Sequence, residues 1–199
     1  LGKLGDFKSF DELWSAYKKQ VEHYVRLMAE HEELEYRVAG ETSPYLYLSM
    51  LYDDCLERGK GIFSGGIKYL GGTLETYGNS NTADSLLAIK KLIYDETIIS
   101  KEELLKALDA NFEGYDHIRN KLKNVPKYGN DNDEADEMLT NVHNHVCNYV
   151  RDQKDRVGLH SYLVVIINNS ANTLMGQSTA ASADGRLAFM SMNNGNAPT

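Results

Sequence analysis

The feature that most constrains this chain is one uninterrupted apolar run, Tyr162-Leu163-Val164-Val165-Ile166-Ile167. Apolar residues on consecutive positions predict a strand covered on both faces, because a strand with one wet face alternates apolar and polar side chains. A lone strand has no sheet. The rest of the sequence offers at most one or two weak partners, the clearest around Ile67 to Leu70. The pattern therefore reads as one helix-rich sector of a larger α/β structure. With 199 residues, 42% of them hydrophobic and 25% charged, the chain has the material for a packed core and not the composition of a disordered one.

Helix signals fill most of the remainder. Ser9-Phe10-Asp11-Glu12 is a capping box, in which the Ser9 hydroxyl accepts an early backbone N–H and Glu12 reaches back to the Ser9 amide. Phe10, Trp14, Tyr17, Val21, Tyr24 and Met28 then recur every three or four residues and predict one buried face, with Gly40 as the stop. Ser43-Pro44 predicts a second helix that ends at Gly59 and Gly61. Further helices are predicted over Thr82–Tyr94, Ser100–Phe112 (a second capping box, Ser100 and Glu103), Tyr115–Asn124 and Asp133–Val150. The glycines between 59 and 78 predict a winding loop with left-handed turns.

Charge and motif chemistry exclude more than they assign. Twenty-one Lys and Arg against 29 Asp and Glu leave a net charge of −8, which argues against general binding to nucleic acid or anionic membrane. The apolar run is far shorter than the ~20 residues that span a bilayer, and Leu1-Gly2-Lys3-Leu4-Gly5-Asp6 has no apolar signal core. Two distant cysteines, Cys55 and Cys147, fit free thiols in a reducing cytoplasm. The spacing from Gly61 to Gly66 matches a phosphate loop, but Ile67 stands where its Lys should be. His143 and Cys147 share a helix face at i, i+4, two ligands where a tetrahedral metal site needs four. Asp131 to Glu137 lacks the glycine of a calcium loop and is better suited to a helix start. Asn168-Asn169-Ser170 is a glycosylation sequon only in form, and no nucleophile-elbow signature fixes a Ser-His-Asp triad. No metal site is expected.

Several segments taken in order carry a family resemblance. These are Phe7-Lys8-Ser9-Phe10-Asp11-Glu12-Leu13-Trp14, Asp53-Asp54-Cys55, Gly65-Gly66-Ile67-Lys68-Tyr69, Thr82-Ala83-Asp84-Ser85-Leu86, Asn111-Phe112-Glu113-Gly114-Tyr115, Pro126-Lys127-Tyr128-Gly129-Asn130-Asp131 and Ala183-Asp184-Gly185-Arg186. Over residues 1–199 the chain resembles the glycyl radical enzymes of the pyruvate formate-lyase superfamily, in their dehydratase, lyase and decarboxylase branch. The resemblance implies a sector of a ten-stranded α/β barrel, in which a cysteine becomes a thiyl radical and a glycine stores the radical. It also implies an anaerobic enzyme that cleaves a C–X bond of a small-molecule substrate or performs formate acetyltransferase-like chemistry, and family members often form homodimers. A separate activating enzyme, using S-adenosylmethionine and an iron–sulfur cluster, installs the radical.

The sequence departs from that family at the catalytic loops. Neither Asp54-Cys55-Leu56 nor Val146-Cys147-Asn148 has the Gly-Cys-x-Glu context of the thiyl cysteine. Arg37-Val38-Ala39-Gly40 begins like the radical-glycine motif, but Glu41 replaces its aromatic residue. No catalytic residue is therefore expected in this chain, which reads as an internal segment, inactive alone, with both ends cut from a longer polypeptide. Asn172, Thr173 and Leu174 correspond to a family stretch that runs toward the pocket, which makes them the substrate-side candidates. Thr179-Ala180-Ala181-Ser182-Ala183-Asp184-Gly185-Arg186 stands where the family usually has Thr-Gly-Ala-Thr-Pro-Asp-Gly-Arg, so its turn has lost a Gly and a Pro. The alternative reading is a stand-alone, non-catalytic binding or assembly protein derived from the family, which should expose an apolar face.

Overall fold

The computed structural model describes residues 2–166 and 170–198. Its elements, in chain order, are helix α1 (Phe10–Thr42), the single-turn helices α2 (Leu46–Ser49) and α3 (Cys55–Arg58), strand β1 (Gly71–Thr76) and helix α4 (Asn79–Ile89). There follow α5 (Lys101–Asp109), α6 (Asp116–Asn124), α7 (Asp133–Asp152), α8 (Lys154–Val157), strand β2 (Ser161–Ile166) and α9 (Ala171–Gly176). A wide π-helical turn, Lys90–Asp95, continues α4. β1 and β2 pair as a two-stranded sheet. Ile167, the last residue of the predicted strand, and Asn168 and Asn169 of the sequon lie outside the described residues.

The chain divides into two compact units. The first comprises residues 1–18, 75–145 and 166–199, and the second comprises 19–74 and 146–165. In the first unit Leu87, Leu104, Ile118, Leu122 and Val142 are almost wholly removed from water, and Phe10, Trp14 and Tyr17 of α1 pack against their cluster. Each such side chain contributes about 1.5–3 kcal/mol relative to an exposed one. In this unit the predicted helices form, α4 starting at Asn79, one turn ahead of the expected Thr82. Ser100 accepts from the Glu103 amide at 3.1 Å while Glu103 accepts from the Ser100 amide at 2.9 Å. At Ser9 the box is skewed, because Glu12 accepts from the amide of Lys8 (2.6 Å) instead of that of Ser9. The acidic run 131–137 works at a helix start, with Asn132 Oδ1 accepting from the Ala135 amide at 3.1 Å and Glu134 pairing with Lys90 (2.8 Å).

The second unit is centred on Val25, Ala29, Val146, Val150, Val157, Leu159 and Tyr162. The buried face of α1 continues from Val21 in steps of four, through Val25 and Ala29; Tyr24 and Met28, predicted to face inward, are 60% and 53% exposed. Glu32 accepts the Tyr36 hydroxyl at 2.8 Å. Burial, together with hydrogen bonds to that carboxylate, pushes the phenols of Tyr36 and Tyr162 up.

Four expectations are corrected here. Gly40 does not stop α1, which runs on to Thr42; a Cβ at that position would stand 3.0 Å from Ser64 Oγ and 3.2 Å from the Phe63 carbonyl oxygen, so close approach explains the glycine. Ser43-Pro44 starts no long helix: Tyr45 takes a left-handed φ of 46°, and only α2 and α3 form before Gly59. Ser49 explains the break, because its hydroxyl donates to the Pro44 carbonyl (3.0 Å) and accepts from the Ile62 amide (3.1 Å), anchoring the segment by a polar side chain. Strand β1 lies at Gly71–Thr76, beyond Ile67 to Leu70. Finally, β2 is covered on one face: Tyr162 is buried, whereas Leu163 and Val165 are 51% and 41% exposed.

The glycine-rich loop does turn through left-handed residues, at Gly59, Gly65 and Gly78. Gly66 serves a different purpose, since a Cβ there would stand 2.7 Å from the Gly61 carbonyl oxygen and 2.8 Å from Cys55 Sγ. Gly66→Ala is expected to destabilise the second unit by about 1–3 kcal/mol, whereas Gly5→Ala, with open space around it, should stay within about 0.5 kcal/mol. Urea unfolding of the two variants checks this; equal midpoints would show that the loop accommodates the methyl group.

Candidate functional site

The first turn of α4 is unusual in being buried and polar. Gly78, at φ 71°, turns the chain in, and Asn79, Ser80, Asn81 and Asp84 then lie inside the first unit. Buried polar groups must find partners. Asn81 Nδ2 donates to Asp184 Oδ2 at 2.6 Å, and Asn81 Oδ1 accepts from the Asn193 amide at 2.8 Å. Asn193 Nδ2 donates to Ser80 Oγ (3.1 Å), Ser85 Oγ accepts from the Asp184 amide (3.1 Å), and Asp84 Oδ1 accepts from the Tyr128 amide (2.9 Å). Lys127, also buried, donates to the Leu122 and Val125 carbonyls at 2.7 and 2.9 Å. Burial pulls its ammonium pKa down, while the nearby carboxylates of Asp84 and Asp184 act the other way.

This network ties a strap, residues 179–193, to α4. Asp184 Oδ1 accepts from the Ser182 hydroxyl (2.5 Å) and the Arg186 amide (3.1 Å), and Gly185 takes a φ of 94°. The turn thus closes through the aspartate and the retained glycine, so it survives the loss of the family's Gly and Pro at Ala180 and Ala183. Arg186 is fully engaged: Nη1 donates to the Leu187 and Met190 carbonyls (3.1 and 2.8 Å), Nη2 to the Ala180 carbonyl (2.5 Å) and Nε to Ser182 Oγ (3.2 Å). Arg119 adds a bond to the Gly185 carbonyl at 2.9 Å, and Asn111 Oδ1 accepts from the Ala188 amide at 2.7 Å.

Between strap and helix lies a cleft of about 280 Å³ whose lining includes Tyr17, Asn81, Thr82, Ser85, Ser182 and Met192. Among the described residues its one cation, Arg186, is consumed by carbonyls and the Asn81 amide by Asp184 and Asn193, so the cleft offers hydroxyls and apolar surface and no unpaired charge. Burial pushes the Tyr17 phenol up to about 12.

The substrate-side candidates stand beside this cleft without lining it. Asn172, Thr173 and Leu174 are on α9. Asn172 Nδ2 donates to the Met192 carbonyl at 3.0 Å, its own carbonyl accepts from the Met192 amide at 3.1 Å, and Thr173 Oγ1 accepts from Ser191 at 3.3 Å. Leu174 is 59% exposed. Asn172 thus positions Met192, which does line the cleft. His143, His145 and Cys147 lie on α7, where His145 meets the edge of Trp14 and Cys147 is half-buried with its thiol pKa raised by burial. Among the described residues no three His, Cys, Asp or Glu side chains converge on a metal position, and no disulfide forms. No helix among them is long and apolar enough to cross a membrane. Sequence reasoning missed Tyr17, Asn81 and Ser85 as lining residues. The signal for the last lay in the Thr82–Leu86 motif, which carries the strap's docking points.

Residues 1–176 match the family described as pyruvate formate lyase-like, and the chain belongs to this family of glycyl radical enzymes. It is 34% identical over 198 residues to trans-4-hydroxy-L-proline dehydratase of Clostridioides difficile, a match covering 99% of this chain and 25% of that protein. The glycerol-bound B12-independent glycerol dehydratase of Clostridium butyricum superposes with a TM-score of 0.92 at 33% identity, over 97% of this chain and 24% of that one. A structure describing 1,2-propanediol dehydration in Roseburia inulinivorans gives 0.94 at 33% identity, over 100% and 26%. The chain spans about a quarter of the length of the curated relatives it matches. Its helix-rich α/β fold is a partial segment of the barrel of these enzymes.

Two predictions test the site. Asp184→Ala removes one member of a buried ionic cluster and strands the donors of Asn81 and Ser182; it should cost about 3–5 kcal/mol and open residues 179–193 to proteolysis, and native-like stability would show that the strap is held by other means. Tyr17 ionises in the unfolded chain near 10.0 and in the folded one near 12. The folded state thus keeps its full advantage below pH 10, and about 2–3 kcal/mol is lost as pH rises toward 12. Tyr17→Phe should flatten that part of the stability profile in alkaline unfolding titrations; an unchanged slope would assign the loss to other groups.

Proposed function

We propose that this chain is a wall segment of a glycyl radical dehydratase or related lyase, supplying outer helices and barrel wall to an active site whose radical-bearing loops lie elsewhere in a longer polypeptide. The observation that carries the reading is convergence: Asn111, Thr82 to Leu86, Pro126 to Asp131 and Ala183 to Arg186, far apart in sequence, meet in one hydrogen-bonded cluster. Similarity to dehydratases along 99% of the chain supports the same conclusion. In this reading the parent is an anaerobic, cytoplasmic enzyme of a small-molecule substrate, active as a homodimer. Its glycyl radical is installed by an activating enzyme that uses S-adenosylmethionine and an iron–sulfur cluster. The segment holds neither group. Its own work is steric, because a closed wall keeps solvent from reactive intermediates. Asn172, Thr173 and Leu174 are its substrate-side residues, with Asn172 acting through Met192.

One observation favours the second reading, a stand-alone binding or assembly protein: Leu46, Tyr47, Leu51 and Leu56 are 65–74% exposed. Intact mass and peptide mapping across Leu1 and Thr199 in the source cells separate the two. The first reading expects a chain several times heavier, with a Gly-Cys-x-Glu loop upstream, that develops a glycyl radical resonance by electron paramagnetic resonance after activation. A native mass near 22.4 kDa would overturn it and leave the binding role.

A further inference from the structure

The second unit has a concave surface that the proposed function does not use. It is a cleft of about 320 Å³ between the C-terminal part of α1, the loop before β1 and the turn before β2, with Arg37, Lys68 and His160 on its walls and Glu33 as the one carboxylate among the described residues that line it. In a chain of net charge −8 such a cationic concavity stands out. A concave, low-dielectric wall also concentrates the field of the charges that line it.

The side chains are held in place. Glu33 meets Arg37 through Nε at 3.2 Å, which fixes the guanidinium and leaves its Nη nitrogens without a bond among the described residues. Lys68 has no carboxylate partner among those residues; its ammonium lies 5.2 Å from the centre of the Tyr69 ring. The His160 ring meets Tyr69 edge-on at 4.8 Å, so one tyrosine steadies both, and the His160 amide donates to the Leu70 carbonyl at 2.8 Å. In either tautomer the imidazole keeps one N–H donor. Tyr36 and Phe63, also on the lining, stack at 4.9 Å, and because the Tyr36 hydroxyl is spent on Glu32 the pair presents apolar ring surface.

We infer that this cleft binds the oxyanion of a small organic molecule, a phosphate monoester or a carboxylate with a flat apolar flank. Arg37 Nη, Lys68 Nζ and the His160 N–H would take the oxygens, in charge-assisted bonds stronger than neutral ones, and the flank would lie against the Tyr36–Phe63 pair. The carboxylate of Glu33 is neutralised by Arg37 and does not oppose the ligand.

The test is a nitrogen-15 NMR titration of the 199-residue chain at constant ionic strength with phenyl phosphate, benzoate and, as a neutral control of the same shape, phenol. Saturable shift changes clustered on Arg37, Lys68, Gly158 and His160 are expected with the two oxyanions, whichever binds tighter naming the preferred head group. Phenol should bind at least about tenfold more weakly. Lys68→Ala and Arg37→Ala, both at exposed positions and so expected to fold, should each weaken oxyanion binding at least about fivefold. Phenol binding as tightly as benzoate, shifts scattered over other lysines, or binding unchanged in both variants would overturn the proposal. None of these outcomes depends on whether the parent is a radical enzyme.

Discussion

The buried carboxylate of Asp184 is the point on which the first unit is organised. It receives Asn81 Nδ2, the Ser182 hydroxyl and the Arg186 amide, while its own amide reaches Ser85. A carboxylate so far from water is tolerable only because every approach to it is a donor or a cation, Lys127 included. Apolar packing would hold the strap by area alone and allow it to slide. Directional bonds to Asn81 and Ser85, one helical turn apart, fix its register on α4 and with it the shape of the cleft.

The two units use different means to the same end. In the first, a polar cluster sits at the end of a large apolar core and places a loop. In the second, Glu32 lies beneath Tyr36 and Tyr162, and the remaining structure is held by close approach: Gly40 on Phe63–Ser64, Gly66 on the Gly61 backbone and Gly72 2.6 Å from the side chain of Leu159 if it bore a Cβ. Such contacts explain why a stretch so rich in glycine keeps a definite path. They also explain why the glycines there are poor evidence of a phosphate loop: most are consumed by the protein's own packing.

Much of this was legible in the sequence. Helix starts at Ser100 and Asp133 follow from capping chemistry, which is local and so can be read from a few residues. The family motifs, too, are present in order. What could not be read was anything decided by distant contacts. Periodicity alone does not tell whether α1 steps by three or four after Val21, and the choice turned Tyr24 and Met28 outward. The Ser43–Gly59 segment has a helix start by composition, yet Ser49 bonds to Pro44 and Ile62 and the chain folds around that hydroxyl. Of the cleft, the Thr82–Leu86 and Ala183–Arg186 motifs were visible but their meeting was not, since Asn81 and Asp184 are separated by more than half the chain.

The outward surfaces give the fold its meaning. From Tyr45 to Leu56 the polar Ser49 and the small Cys55 point inward, whereas Leu46, Tyr47, Leu51 and Leu56 point out. Strand β2 repeats the inversion, with Leu163 and Val165 open on the face away from Tyr162. Left in water, each of these residues forfeits about 1.5–3 kcal/mol of burial, so both readings of the chain need a neighbour that covers them. The same inversion recurs on α1, where Tyr24, Leu27, Met28, Leu34 and Val38 are 41–60% exposed beside the buried Val25 and Ala29. An inner core beside exposed apolar faces suits the wall role proposed above. The strap, held instead by Asp184 and exposing Phe189 at a left-handed φ of 65°, belongs to the same design, because a strained backbone that projects an aromatic ring outward is kept only where the surroundings fix it.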